Sequence, residues 1–385
     1  MTNNPELNAD NPEYYTWQYE QLQIAILGGM KIEGLDRMRV TLKVQWKEQA
    51  VRQNLDLYNS PALDKLVRKC AETFALGLEY MTGVLEALIN TLETYRLNQL
   101  KKGLTTEVRE PLKPERKKEV EAFLKKPDLL QRTNTLIGES GVTGEENNRL
   151  LMYLVFTSRK REQPLHIISL GSSGTGKSHL QEKVGELMPP EDKIEITSLS
   201  ENAFYYFGKQ ELKHKLILIE DLDGAQEVLY PLRELQSKKV INKTVVFKTA
   251  NGEAQTTTLR VEGPVCVAGC TTKESVYEDN ANRSFLIYLD ESKEQDSRIM
   301  DYQRKKSAGK IDTGKESQVK QLVQDIQRVL QPVAVRNPYA EDLQLPVSVF
   351  KPRRTNAHYL AFIEAVTFYH QFQREQKTDE HTGEV

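Results

Sequence analysis

The sequence predicts an α/β domain on a parallel sheet, preceded by an all-α N-terminal region and followed by a helical lid. Three observations carry that reading. From about Pro127 onward, short apolar runs alternate with helical segments, the pattern of parallel strands joined by crossover helices. The stretch "HIISLGSSGTGKSHL" feeds an apolar run into a glycine-rich loop and then into a helix-compatible segment. The run "LILIED" is apolar for four residues and ends on two carboxylates, as expected of a strand buried on both faces whose C-terminal end meets a ligand.

Composition bounds the rest. A chain of 385 residues has room for two or three compact units. Hydrophobic residues at 38% and charged residues at 28% describe an ordinary protein with a sizeable core. The net charge of −2 creates no field over the whole molecule, so a nucleic-acid partner has to be held by local basic groups. Cys70, Cys266 and Cys270 form no C-x-x-C pair, which argues against a zinc site or a disulfide framework. Cys266 and Cys270, four apart on one strand, read as small core residues. The opening "MTNNPELNADNPEYY" is unlike a secretory signal, and no apolar run approaches the ~20 residues of a membrane helix. A cytoplasmic location with no membrane partner is expected.

Residues 1–13, rich in Asn, Pro and Glu, read as a disordered lead-in, and residues 14–105 as a helical domain. Its helical pattern runs from Tyr14 to about Tyr58, interrupted at Gly28-Gly29. One long helix follows, capped by Ser60, with Pro61 at the first position and Gly103 at the end. Its stripe of Leu63, Val67, Cys70, Phe74, Leu78, Met81, Leu85, Leu88 and Leu92 recurs at helical spacing and suits a core or a subunit contact. The charged residues 106–126 read as a linker with a short helix. Residues 127–300 form the α/β core. Thr143 and Glu146 suit a capping box that opens the helix through "NNRLLMYLVF". Strands are expected at "LHIISL", "IEITSL", "KLILIE" and "PVCVAGC". Between the last two, β-rich runs flank Asn251-Gly252, predicting a hairpin with a two-residue turn that pairs Lys248 with Gln255 and Lys243 with Arg260. Residues 301–385 supply a linker and the helical lid.

Gly171, Ser172, Ser173, Gly174, Thr175, Gly176, Lys177 and Ser178 complete G-x-x-x-x-G-K-S, with His179 next in the helix. Glycines let successive N–H groups turn toward phosphates, Lys177 reaches the β and γ phosphates, and Ser178 ligates Mg²⁺. ATP and Mg²⁺ are the cofactors expected. Glu220 and Asp221 emerge at the end of their strand, one to hold the metal and the other to orient the attacking water. Thr271 and Thr272 end a strand where a hydroxyl sits between those acids and the γ-phosphate. Arg283, a short loop downstream, is placed to reach a neighbouring subunit's nucleotide, and Arg353 and Arg354 to touch phosphates within their own subunit. Lys243, Lys248 and Arg260 are the candidate DNA contacts on the hairpin.

This order of parts resembles an AAA+ P-loop NTPase, nearest the MCM and superfamily 3 helicase branch, where a hairpin before the polar strand contacts DNA in the channel of a ring. More closely, "LSENAFYYFG", "HKLILIEDLDG", "VEGPVCVAGCTTKESVYEDNANRSF" and "RRTNAHYLAFIEAVTFYHQFQR" resemble the helicase-like region of CHC-type zinc-finger primase and helicase proteins of bacterial mobile elements. The resemblance implies a homo-oligomeric, hexamer-like ring, translocation on single- or double-stranded DNA, a replicative role and a primase partner. The chain has neither the zinc finger nor the Toprim domain of those relatives, so primer synthesis is not expected of it. Many AAA+ proteins have Asp then Glu where Glu220 precedes Asp221. Two other classes fit the motifs: an ATP-gated DNA-binding switch, such as a helicase loader or transposition regulator, and an ATPase that remodels protein. The ending "KTDEHTGEV" is abrupt enough to suit a truncated chain.

Overall fold

The computed structural model describes residues 7–31, 37–104, 112–196, 203–207, 209, 211–225, 229–248, 254–273, 282–349 and 351–377. They fall into two units, Met1–Thr105 and Thr106–Val385.

The first unit begins as an antiparallel meander, not as the helices expected from Tyr14 to Tyr58. Strands β1 (Leu7–Asn11), β2 (Tyr14–Tyr19), β3 (Leu22–Leu27), β4 (Arg39–Trp46) and β5 (Gln49–Asp56) pair in sequential order. The period in these residues is two. Tyr15 and Trp17 are buried between exposed Tyr14, Thr16 and Gln18, and Val40, Leu42 and Val44 alternate with outward-facing polar residues. The tight turns at Glu20-Gln21 and Lys47-Glu48 place Glu20 and Lys47 at positive φ (51° and 53°) without the glycine or asparagine that marks such turns in sequence. Gly28 and Gly29 end β3, and Gly29 cannot be replaced: a Cβ there would lie 2.1 Å from the Pro12 carbonyl oxygen.

The single long helix is two. Helix α1 (Ser60–Phe74) is capped by Asn59, whose side chain accepts from the Ala62 N–H at 3.0 Å, and it ends at Ala75 in the left-handed region. Helix α2 (Leu78–Leu104) continues the stripe from Met81, while Leu78 in its first turn is exposed and Leu63 on α1 is only partly buried. Val67, Cys70, Phe74, Met81, Leu85, Leu88 and Leu92 enter one core with the sheet residues Trp17, Ile24, Leu42 and Val44.

The second unit opens with α3 (Pro114–Lys125), α4 (Leu129–Glu139) and α5 (Glu146–Thr157). The charged stretch expected as a linker is therefore part of this unit: Val120 and Leu124 enter its core, and Arg116 pairs with Asp325 at 2.9 Å. The Thr143 capping box does not form. Glu145 occupies the cap at φ 56° with no side-chain bond to the helix N–H groups, and its carboxylate accepts instead from the Asp290 N–H and the Asn148 amide.

Next come β6 (Ile167–Leu170), α6 (Lys177–Gly185), β7 (Lys193–Ile196), β8 (Lys215–Ile219), α7 (Leu229–Lys238), β9 (Val240–Lys248), β10 (Ala254–Glu262), β11 (Val265–Thr271) and β12 (Phe285–Tyr288). Five of these strands form a parallel sheet in the order β12-β6-β11-β8-β7. The four strands expected are present, and β12 is an addition. Ile167, Leu216, Leu218, Cys266 and Ala268 share the core with α5 and α6. On the opposite face Gly269 lets Leu222 approach, since a Cβ there would lie 2.7 Å from the Leu222 side chain. Cys266 and Cys270 are buried and unbridged, as small core residues.

Helices α8 (Lys293–Ser307), α9 (Thr313–Val329) and α10 (Pro352–Tyr369) follow. Helix α9 packs on α3 and α4, and α10 packs on α5. Buried Arg159 ties these layers together, donating to Gln327 at 2.7 Å and pairing with Asp192 at 2.7 Å.

The hairpin β9–β10 is present, but in a register one residue from that expected. Lys248 pairs with Ala254, and Lys243 with Leu259. The described ladder runs from the Val240–Glu262 pair to the Lys248–Ala254 pair; residues 249–253, with the turn expected at Asn251-Gly252, lie outside the described ones. A slip of one residue reverses which side chains share a face, so Lys243 and Arg260 do not meet at the base.

Candidate nucleotide-binding site

The loop between β6 and α6 carries positive φ at Gly171 (145°), Gly174 (86°) and Gly176 (91°), and Gly176 caps α6. L side chains rarely adopt this region, so glycine at these positions is a backbone requirement. Among the described residues, no amide N–H from Ser172 to Ser178 donates to a backbone carbonyl. The loop thus offers a run of uncommitted donors at a helix N-terminus, which fits a polyphosphate. Ser172, Ser173, Gly174 and His179 face solvent, while Lys177 is buried to 6% exposure. Its ammonium bonds the Gly171 carbonyl at 2.8 Å, the Ser172 carbonyl, and the Thr175 hydroxyl at 3.4 Å. Those acceptors are neutral, so the lysine keeps its charge for an anion.

The sheet order decides what faces this loop. Strand β11 lies between β6 and β8, with Thr271 level with Leu170, the residue before Gly171, and Gly269 level with Ile219, the residue before Glu220. The polar strand end therefore stands between the loop and the acids. Glu220 and Asp221 are both exposed at the end of β8. Burial pushes the Cys270 thiol up to about 11, Ser178 and Lys177 pull it down, and the Glu220 carboxylate pushes it further up. Glu220 is therefore within electrostatic reach of the same thiol as Lys177 and Ser178. Asp221 instead turns into its own loop and accepts the Asp223 N–H at 2.9 Å. Ser178 and Glu220 offer the oxygen ligands a magnesium ion takes beside phosphates, a donor set that fits without a cage of protein ligands.

The residue that sequence reasoning missed is Asp223. Its carboxylate accepts from the Thr271 hydroxyl at 3.0 and 3.1 Å, the Thr272 hydroxyl at 3.2 Å and the Thr272 N–H at 3.3 Å, and pairs with Lys273 at 3.4 Å. Burial by itself would raise its carboxyl, but these bonds outweigh that and hold it below the ordinary carboxylate range. The available signal was a third acid two residues past "ED" in "LILIEDLD".

Two arginines lie elsewhere. Arg283 lies two residues before the start of β12, donates to Ser237 at 2.9 Å, and stands beside the N-terminal end of β6, where the Phe285 N–H bonds the His166 carbonyl at 2.8 Å. The length of β6, about 10 Å, separates that edge from the loop. Arg354 sits in the first turn of α10, one turn before His358, whose ring stacks on Phe285 with centroids 5.5 Å apart. It too lies toward the N-terminal edge, beside the Phe285 end of β12. Burial, then the charges of His358 and Arg283, push His166 down to about 3. On the hairpin, Lys243 lies 5.2 Å over the Tyr205 ring and Arg260 pairs with Glu262 at 2.9 Å, while Lys248 closes β9 beside the loop.

A glycine-rich cradle, a buried lysine, a polar strand end and two acids on an adjoining parallel strand define a P-loop NTPase domain. Residues 112–332, more than half of the chain, match the family described as MTBMA_p00010 P-loop domain, and the chain belongs to that family. A search of curated proteins finds no match. Among the described residues, no helix is long and apolar enough to cross a membrane.

Proposed function

We propose that the protein is an Mg²⁺-dependent ATPase of the AAA+ type that assembles into a ring and moves along DNA, in the replication of a mobile genetic element. The observation that carries this reading is the placement of the β9–β10 hairpin, which projects from the chain between the acidic strand β8 and the polar strand β11. That is where a ring ATPase couples nucleotide turnover to a polymer in its channel. The strand order around the loop supports the same reading.

Within one subunit, the loop amides and Lys177 hold the phosphates and Ser178 and Glu220 hold the metal. Magnesium, when bound there, would supply charge that neutralises the phosphates. Asp221 orients water, and Thr271 with Thr272, fixed by Asp223, meet the γ-phosphate. Arg283, remote from its own loop, acts on the nucleotide of a neighbouring subunit.

The test is Lys248→Ala. It lowers DNA affinity and DNA-stimulated ATP turnover, leaves DNA-free turnover near wild type, and reduces the salt slope of binding by about 0.7 to 0.9. Equal loss of both turnover rates would show that the hairpin only supports the fold, and no loss of either would remove it from the DNA path. Assembly on DNA without strand displacement would favour an ATP-gated switch over a translocase.

A further inference from the structure

The outward face of the N-terminal meander is unlike an ordinary solvated sheet surface. Strands β2, β3 and β4 enclose an open groove of about 400 Å³ lined by Tyr14, Gln18, Gln23, Ala25, Lys43 and Gln45 among others. Lys43 stands directly opposite Arg52 on β5, and neither has an ion-pair partner among the described residues. Like charges in direct cross-strand register cost the sheet stability, and an anion between them removes that cost. Within β2 to β5 the one carboxylate on this face is Asp56 at its far edge, and it is committed to the N–H groups of Met38 and Tyr58 at 2.9 and 3.2 Å.

The remaining side chains add a second kind of recognition. Tyr14 is 44% exposed, and it lies two strands, about 10 Å, from Lys43. Gln18, Gln23 and Gln45 occupy one cross-strand row. Gln18 and Gln45 each donate one amide N–H to a turn carbonyl, of Glu20 at 3.0 Å and Lys47 at 3.3 Å, and the row keeps its amide oxygens and remaining N–H groups. Ala25, between Thr16 and Lys43 in the next row, keeps the groove floor low. An aromatic platform, a row of amides and a pair of cations on one acid-poor sheet suit a chain with alternating bases and phosphates.

We infer that this face binds single-stranded nucleic acid, with Tyr14 stacking on a base while Lys43 and Arg52 receive successive phosphates. The site lies in a different structural unit from the nucleotide loop and is separate from the β9–β10 hairpin, so it stands whether or not the hairpin touches DNA.

The test measures binding of a fluorescent oligothymidylate to the full chain over a range of salt, with no nucleotide added. Lys43→Gln with Arg52→Gln reduces affinity and lowers the slope of log affinity against log salt by roughly 1.4, two phosphates at about 0.7 each. Tyr14→Ala lowers affinity by about 5- to 150-fold, the equivalent of one stacked base, and leaves the slope unchanged. Both variants keep wild-type ATP turnover without DNA and melt no lower than wild type, the double variant slightly higher because its like-charge pair is relieved, which excludes misfolding, and Lys43→Arg keeps the wild-type slope. Unchanged affinity and slope in the double variant, or a loss found only with Lys248→Ala, would overturn the inference. Equal competition by polyglutamate would overturn it too, in favour of an acidic peptide.

Discussion

Replacing Asp223 by Ala removes every acceptor that holds the hydroxyl of Thr271, which is only 4% exposed. A buried hydroxyl left without an acceptor costs about 1–3 kcal/mol. Thr272 is exposed and recovers its bond from water, and the Lys273 pair, with the lysine 48% exposed, adds about 0–1 kcal/mol. The expected loss is therefore about 1–4 kcal/mol, a fall in Tm of roughly 2–16 °C for a unit of this size. The effect on chemistry is separable. A hydroxyl displaced by about 1 Å from a reacting phosphate can lower kcat by on the order of 100-fold, whereas KM for ATP stays close to wild type because the loop and Lys177 hold the phosphates. Asp223→Asn keeps one acceptor oxygen and recovers part of both losses. Steady-state kinetics and thermal unfolding on the two variants measure this directly. A wild-type kcat and Tm in Asp223→Ala, or a rise in KM with kcat unchanged, would refute the positioning role.

Three further outcomes follow from the same geometry. Lys177→Ala abolishes ATP turnover and nucleotide binding while the unit remains folded by circular dichroism, because the bonds lost are local to the loop; retained turnover would remove Lys177 from the site. Glu220→Gln weakens the magnesium dependence of binding and Asp221→Asn spares binding while slowing hydrolysis, so titrating Mg²⁺ against each variant separates the two acids, and identical behaviour would contradict the assigned division. His166, whose Nδ1 accepts the Val267 N–H at 3.2 Å, stays neutral in the fold down to about pH 3 but protonates near 6.5 when unfolded, so its contribution is complete above 6.5 and is lost as pH falls toward 3, on the order of 5 kcal/mol in all. His166→Gln keeps an acceptor and flattens that part of the acid-unfolding curve, and a curve unchanged by the substitution would exclude His166 as its cause.

The nucleotide loop was legible because its chemistry is local. Gly171, Gly174, Gly176 and Lys177 act within eight residues, and their positive φ values and helix N-terminus follow from residue type. "LILIED" was legible for a similar reason, since four apolar residues ending on acids suit a buried strand meeting solvent. The meander is hard to read from sequence because the alternation of Tyr15, Trp17, Val40, Leu42 and Val44 spans only short strands, and its tight turns, at Glu20 and Lys47, carry no glycine. The hairpin was found but its register was not, since the register depends on where the ladder stops and not on an Asn-Gly pair alone.

Local chemistry in the sequence by itself determined the phosphate cradle, the acidic strand end and the parallel α/β class. Only the tertiary structure decided that β11 lies between β6 and β8, and with it that Asp223 grips Thr271 across 48 residues of chain. Only the fold, too, placed Arg283 and Arg354 at the sheet edge away from their own loop. Strand order and the direction of each strand are set by which faces can be buried together, a property of the whole packed chain that no single stretch of sequence contains.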